Sequence, residues 1–240
     1  MLAHTRGIVL RNIRFSETSI ISRIYTEQFG MRSYLIGGVR SEKSRMRAAY
    51  FLTLNLLSLH VYHRPQKALN RIREANLYYP MQQLHAQPLR SSMGLLMAEV
   101  FASAVREEEP NPALFAFLER QLIDLDQTPV LSPNLLLRFF IQFSAHLGFY
   151  PSGRYTEDTP VFNLQEGRFE SSGNPRHPVL EPPFSLHLSS LLDMGDPQLT
   201  AAERSALLHA LLQYYQLHLP EFRPPRSLDV LRAVFKLPTP

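Results

Sequence analysis

The hydrophobic period of this chain changes at Pro80, and that change limits what it can fold into. Before Pro80, short apolar runs are punctuated by glycine and alternate with polar residues, the period-2 pattern of strands. Residues 7–15, 20–25, 31–36, 52–62 and 69–77 are the five candidates. In the fourth, Leu57, Leu59 and Val61 alternate with Ser58, His60 and Tyr62. Turns fall at Glu27–Gly30 and Gly37–Gly38. Five short strands within 80 residues suit a small closed barrel of the OB type better than an open sheet, whose edges need covering.

After Pro80 the period becomes 3.6. Leu89, Met93, Leu96, Val100 and Ala104 form one helical stripe, ended by Glu107–Glu109 and Pro110. Asn111 followed by Pro112 predicts an N-cap with proline at the first helical position, above Phe115, Leu118, Leu122 and Leu125. Ser132–Pro133 opens a third helix carrying Leu136, Phe139, Phe140, Phe143 and Leu147, stopped at Gly148. Thr200 and Glu203 read as a capping box for a helix to about Leu217, and Ser227 starts a last short helix. Between them, at about 150–183, a hairpin turning at Glu166–Gly167 is expected, then a proline-rich connector. The expected class is therefore α+β: a five-stranded barrel over 1–80 and a mainly helical domain over 81–240 with a small β-hairpin insertion.

Catalytic signatures are missing. The chain has no phosphate-binding G-x-x-x-x-G-K-[ST] loop, no G-x-G-x-x-G, no G-x-S-x-G and no H-E-x-x-H. It has no cysteine, which excludes disulfides, thiol catalysis and thiolate metal sites. His60 and His63, three apart on a strand, point to opposite faces and do not pair as ligands. A non-enzymatic protein without cofactor is expected. The N-terminus lacks a signal-peptide apolar stretch and no apolar run reaches a membrane span, so the expected location is cytoplasmic.

Charge is distributed unevenly. Residues 1–80 carry 13 Lys+Arg against 4 Asp+Glu, an excess of nine positive charges, whereas the remaining residues carry 12 against 17. A positive field concentrated in one third of a chain is the footprint of a polyanion partner, the alternative being a basic surface that only maintains solubility. Arg23 and Tyr25 are two apart on one strand, as are Arg32 and Tyr34 on the next. If those strands pair with all four on one face, the guanidinium groups grip phosphates and the phenol rings stack on bases; the alternative is that the tyrosines fill the barrel. The segment holding Arg40, Lys43, Arg45 and Arg47 among small residues suits a loop that follows a phosphate backbone, rather than a merely solvated one. Arg71 and Arg73 share a face of the fifth strand and extend the patch. No base-reading helix is evident, so little sequence specificity is expected.

These residues also form a familiar string. The opening R-G-I-V-L, the Y-T-x-x-x-G turn, the G-V-R-x-x-K-S-x-x-R loop and the L-x-L-x-V-Y strand occur in that order, and REEEPNPALFAFL and HLGFYP follow. The combination resembles the RecO recombination mediators over most of the chain. The resemblance implies an N-terminal OB barrel joined to a helical domain. It further implies binding of single- and double-stranded DNA, strand annealing, assistance to RecA loading together with RecR, and contact with the acidic C-terminal tail of the single-stranded-DNA-binding protein. It places DNA on Arg40, Lys43, Arg45 and Arg47, and secondarily on Arg11, Arg14, Arg23 and Arg32. Many members carry a four-cysteine zinc site after the L-G-F-x-P segment. Residues 150–178 contain no cysteine here, and Val161, Phe162 and Phe169 are expected to hold the hairpin instead.

Two further classes compete with this reading: an RNA-binding OB module, and an adaptor whose basic face docks an acidic protein tail without nucleic acid. Arg120 and Arg138, on helices that bury Phe and Leu, are the candidates for gripping such a tail, against plain surface solvation.

Overall fold

The computed structural model describes residues 1–38, 48–105, 109–172 and 176–235, the last four by backbone alone. The chain divides into two compact units, Met1–Thr128 and Pro129–Pro240.

The first unit begins with five strands: β1 (Leu2–Arg14), β2 (Ile20–Thr26), β3 (Gly30–Ile36), β4 (Leu56–Tyr62) and β5 (Leu69–Tyr79). They close into a barrel in the order β1-β2-β3-β5-β4, with β4 returning to β1, which is the OB-type barrel expected. Partners run around it from Ile13 through Ile21, Leu35, Arg71 and Tyr62 to Leu2. That circuit returns to β1 eleven residues before Ile13, or ten once the bulged Leu10 is discounted. This stagger opens an interior wide enough for Val9, Ile24, Tyr34, Phe51, Leu59 and Ile72. Gly7 is required where β1 crosses this core: a Cβ there would lie 2.7 Å from Ile24 Cγ2 and 2.8 Å from Leu59 Cδ1.

The fourth strand is shorter than its alternating sequence suggests. Residues 48–51 form a 3-10 turn (Ala48–Phe51), and Leu54 has φ 77°, so only Leu56–Tyr62 is strand. Leu54 and Asn55 bind the backbone of Val9, and Phe51 and Leu54 are buried. Phe51 enters the barrel core, Leu54 packs against Gly94 of the helix that follows, and Leu52 stays exposed.

Three helices complete the unit: α1 (Gln83–Ala86), α2 (Pro88–Ala104) and α3 (Pro112–Gln127). The Asn111 side chain accepts from Leu114 N–H at 3.0 Å, with Pro112 next, as the sequence predicts. Phe115, Leu118, Leu122 and Leu125 are fully buried. Arg90, 5 % exposed, donates to the Leu125, Asp126 and Thr128 carbonyls and satisfies the C-terminal end of α3.

The second unit contains α4 (Leu135–His146), a small sheet of β6 (Val161–Asn163), β7 (Arg168–Glu170) and β8 (Val179–Leu180), then α5 (Phe184–Leu192), α6 (Ala201–His218) and α7 (Ser227–Phe235). Phe139, Phe140, Phe143 and Tyr215 form its aromatic core, with the Tyr215 hydroxyl donating to Phe140 O at 2.7 Å. The Thr200–Glu203 capping box is present, closed by Glu203 N–H to Thr200 Oγ1 and Thr200 N–H to Glu203 Oε2. The hairpin turns at Gly167, with φ 68°. The tyrosine ring of Tyr214 leaves no room for a side chain there. Phe162 and Phe169 pack at 5.0 Å, and Asn163 pins the turn by accepting from the Gln165 and Glu166 amides. Two elements of this unit go beyond the expectation from sequence: β8, inside the expected connector, makes the hairpin a three-stranded sheet, and α5 follows that connector where no element was expected.

Candidate nucleic-acid interface

The outer surface of the barrel is divided in two by its register. Leu56, Ile8, Tyr25 and Met31 are aligned across four strands, and all are buried. Two residues further along β2 the alignment passes through Arg11, Arg23, Ser33 and Leu69, and two further through Ile13, Ile21, Leu35, Arg71 and Tyr62. The first row lies beneath helices: the Tyr25 ring sits 4.8 Å from Phe101 and 6.1 Å from Phe115. The others reach solvent, and they carry the charge.

This register corrects the expectation for the two Arg–Tyr pairs. Because Thr26 pairs with Gly30, Arg23 comes opposite Ser33, and Arg32 opposite Ile24. Arg23 and Tyr25 therefore face outward while Arg32 and Tyr34 face the barrel interior. Neither phenol is available to a base, with Tyr25 1 % and Tyr34 0 % exposed. Burial pushes the Tyr34 hydroxyl up to about 12. Arg32 is buried too, its Nε donating to Phe29 O at 3.0 Å, and together with burial it lowers the pKa of His63. Arg23 remains half-buried beside Arg11.

Arg11, Arg14, Arg71 and Arg73 are exposed, and none makes an ion pair with a carboxylate among the described residues. Arg11 and Arg23 lie directly opposite one another across β1 and β2, which concentrates positive charge in this row. Arg40, Lys43, Arg45 and Arg47 lie outside the described residues. Arg64 and Lys67, in the turn between β4 and β5, are exposed cations that the sequence reading passed over; a turn between two strands carries no periodicity to single them out.

Arg6 is the counter-example. Its guanidinium is clamped by Glu27 at 2.6 Å and Glu119 at 2.8 Å and lies 5.1 Å over the Phe115 ring. Tyr78 donates to the same Glu119. The hydrogen bond from Arg6 holds the Glu27 carboxyl below the usual range, and the Arg6 pKa is raised in return. This cation joins barrel to helix α3.

Arg120 and Arg138 are both engaged within the protein. Arg120 on α3 pairs with Asp124 at 2.9 Å one turn on, and Arg138 on α4 pairs with Asp196 at 3.0 Å and donates to Gly195 O. They belong to different units. Among the described residues no group of three or more His, Asp or Glu side chains is placed to hold a metal ion, and the aromatic packing of Phe162 and Phe169 occupies the hairpin. No helix among the described residues is long and apolar enough to cross a membrane.

Fold and charge together define an OB-barrel protein with a helical C-terminal part and a basic, uncovered half-face on the barrel. Two family profiles match most of it: Recombination protein O N terminal over residues 1–81 and Recombination protein O C terminal over residues 85–229. Three relatives named DNA repair protein RecO match nearly all of it. Those of Phocaeicola vulgatus, Christiangramia forsetii and Bacteroides fragilis are 34 %, 32 % and 32 % identical, over 98 % of this chain and 100 % of each relative. The chain belongs to the RecO family of DNA repair proteins.

Proposed function

We propose that this protein is a recombination mediator that binds single- and double-stranded DNA, anneals complementary strands and, with RecR, helps load RecA, without a catalytic step of its own. The observation that carries the reading is the set of exposed cations Arg11, Arg71 and Arg73 on the open half of the barrel, with Arg14 exposed at the end of β1 opposite Ile20; none has a carboxylate partner among the described residues. Cations so placed neutralise phosphates, lower the repulsion between two strands and leave their bases free to pair. Arg23 lies in the same row. The segment with Arg40, Lys43, Arg45 and Arg47 follows β3 directly in sequence and adds a second stretch of phosphate contacts. Tyr25 and Tyr34 take no part.

The acidic tail of the single-stranded-DNA-binding protein is proposed to dock on the helices, with Arg120 or Arg138 exchanging its own carboxylate for one of the tail's. A labelled tail peptide then binds Arg120→Ala or Arg138→Ala more weakly; an unchanged affinity removes that arginine from the site.

Annealing of complementary strands without any nucleotide, bare and coated with their binding protein, tests the main reading. The wild-type chain accelerates pairing on both substrates, and Arg40→Glu/Arg45→Glu/Arg47→Glu slows it on both. Pairing no faster than in the absence of protein overturns the proposal.

A further inference from the structure

Beside the row of arginines is a concave site that the sequence did not announce. A cavity of about 580 Å³ is lined by Tyr62, Arg64, Lys67, Leu69, Asn70 and Arg71. Tyr62 ends β4 directly opposite Arg71 on β5 and is 46 % exposed as a residue, whereas Tyr25 and Tyr34 are enclosed. The turn above this pair is held in shape from within. Asn70, 3 % exposed, accepts from Arg64 N–H at 2.8 Å and donates to Lys67 O at 3.1 Å, and Lys67 N–H donates to Arg64 O at 3.0 Å. The backbone that carries both cations is thereby fixed at the wall of the cavity. Between residues 61 and 73 there are four Lys or Arg and no Asp or Glu. The first carboxylate along β5, Glu74, stands 4.0 Å from His60 on the neighbouring strand.

We infer that this cavity is a nucleotide subsite, holding one unpaired base on the Tyr62 ring and its flanking phosphates on Arg64, Lys67 and Arg71. An exposed phenol offers stacking, which every base accepts, and the three cations lining the same cavity supply charge for the phosphates that flank one nucleoside. Leu69 supplies an apolar wall. In a duplex both faces of each base are already stacked, so the site selects single strands and leaves the duplex to the phosphate contacts elsewhere on the barrel. The inference rests on the DNA-binding reading above and gives it a stacking residue.

The chain contains no tryptophan, so Tyr62→Trp installs a unique fluorescent reporter at an exposed position. Titrating that full-length variant with oligothymidylate quenches the indole, and an abasic oligonucleotide of equal length does not. In parallel, Tyr62→Ala weakens oligothymidylate binding about tenfold while Tyr62→Phe keeps it, the span expected for loss of one stacked base. Duplex affinity stays the same in both. Wild-type binding of normal strength with Tyr62→Ala unchanged overturns the subsite alone. Absence of any binding by the wild type overturns the DNA reading and the subsite with it. Quenching by an oligoglutamate peptide but not by oligothymidylate also overturns the subsite, and assigns the cavity to an acidic protein tail.

Discussion

Arg6 shows what separates a structural cation from a binding one. Its two carboxylates, the Tyr78 hydroxyl that shares Glu119 and the Phe115 ring leave it no capacity for a phosphate. Arg6→Ala is expected to lower stability by about 2 kcal/mol, because Glu119 loses its charged partner in a partly buried place, and to leave DNA affinity unchanged. Denaturant unfolding and a binding titration check the two halves. The pH dependence has a definite sign. Glu27 has its pKa depressed in the folded state by the hydrogen bond from Arg6, so the stability it contributes is present above its ordinary value of 4.5 and is lost as pH falls towards the folded value. Melting temperature followed from pH 7 to 3 drops more steeply below 4.5 for the wild type than for Arg6→Ala; parallel curves would remove this account. Tyr25 is the complementary case. Wedged between Phe101 and Phe115, it is an anchor, and Tyr25→Ala destabilises by about 3 kcal/mol without a specific loss of DNA binding. The sequence pairs Arg23 with Tyr25 correctly on one face. It does not reveal that helices cover the tyrosine while the arginine is only half-buried.

Elements were legible where one physical signal sufficed. The Asn111–Pro112 and Thr200–Glu203 starts are local hydrogen-bonding patterns and occur as read. Thr200→Ala is expected to lower the melting temperature through loss of about 1 kcal/mol of capping. Strand positions followed from alternation, but their relative faces did not, because register depends on which residues the turn brings opposite one another. A pairing one residue different at Thr26–Gly30 would have put Arg32 outside with Arg23. Residues 52–55 imitate a strand because Leu52 and Leu54 alternate with polar residues, although Leu54 is buried against a helix and Leu52 is exposed. Helix α5 follows two prolines, which argue against helix on the page although they only precede it. The barrel interior makes its own demand on β1: Gly7→Ala forces a methyl into Ile24 and Leu59 and is expected to cost about 2 kcal/mol, read from denaturant midpoints.

At the scale of the molecule, the family and the OB-barrel architecture were readable from motif order and from the change in period at Pro80. The location of the basic surface was readable only in part, since the charge excess belongs to the first 80 residues as a group. Closing the strands into a barrel sorts those cations into three fates: Arg6 and Arg32 inside the protein's own interactions, Arg23 at the margin, and Arg11, Arg14, Arg64, Lys67, Arg71 and Arg73 in solvent. That sorting is what a strand of nucleotides would meet. The most direct test is the salt dependence of single-stranded DNA affinity for the wild type and for Arg11→Ala/Arg71→Ala. The account predicts that log affinity falls linearly with log salt and that the variant's slope is shallower by roughly 0.7 for each phosphate contact removed. A wild-type affinity indifferent to salt, or a variant with the wild-type slope, would contradict it.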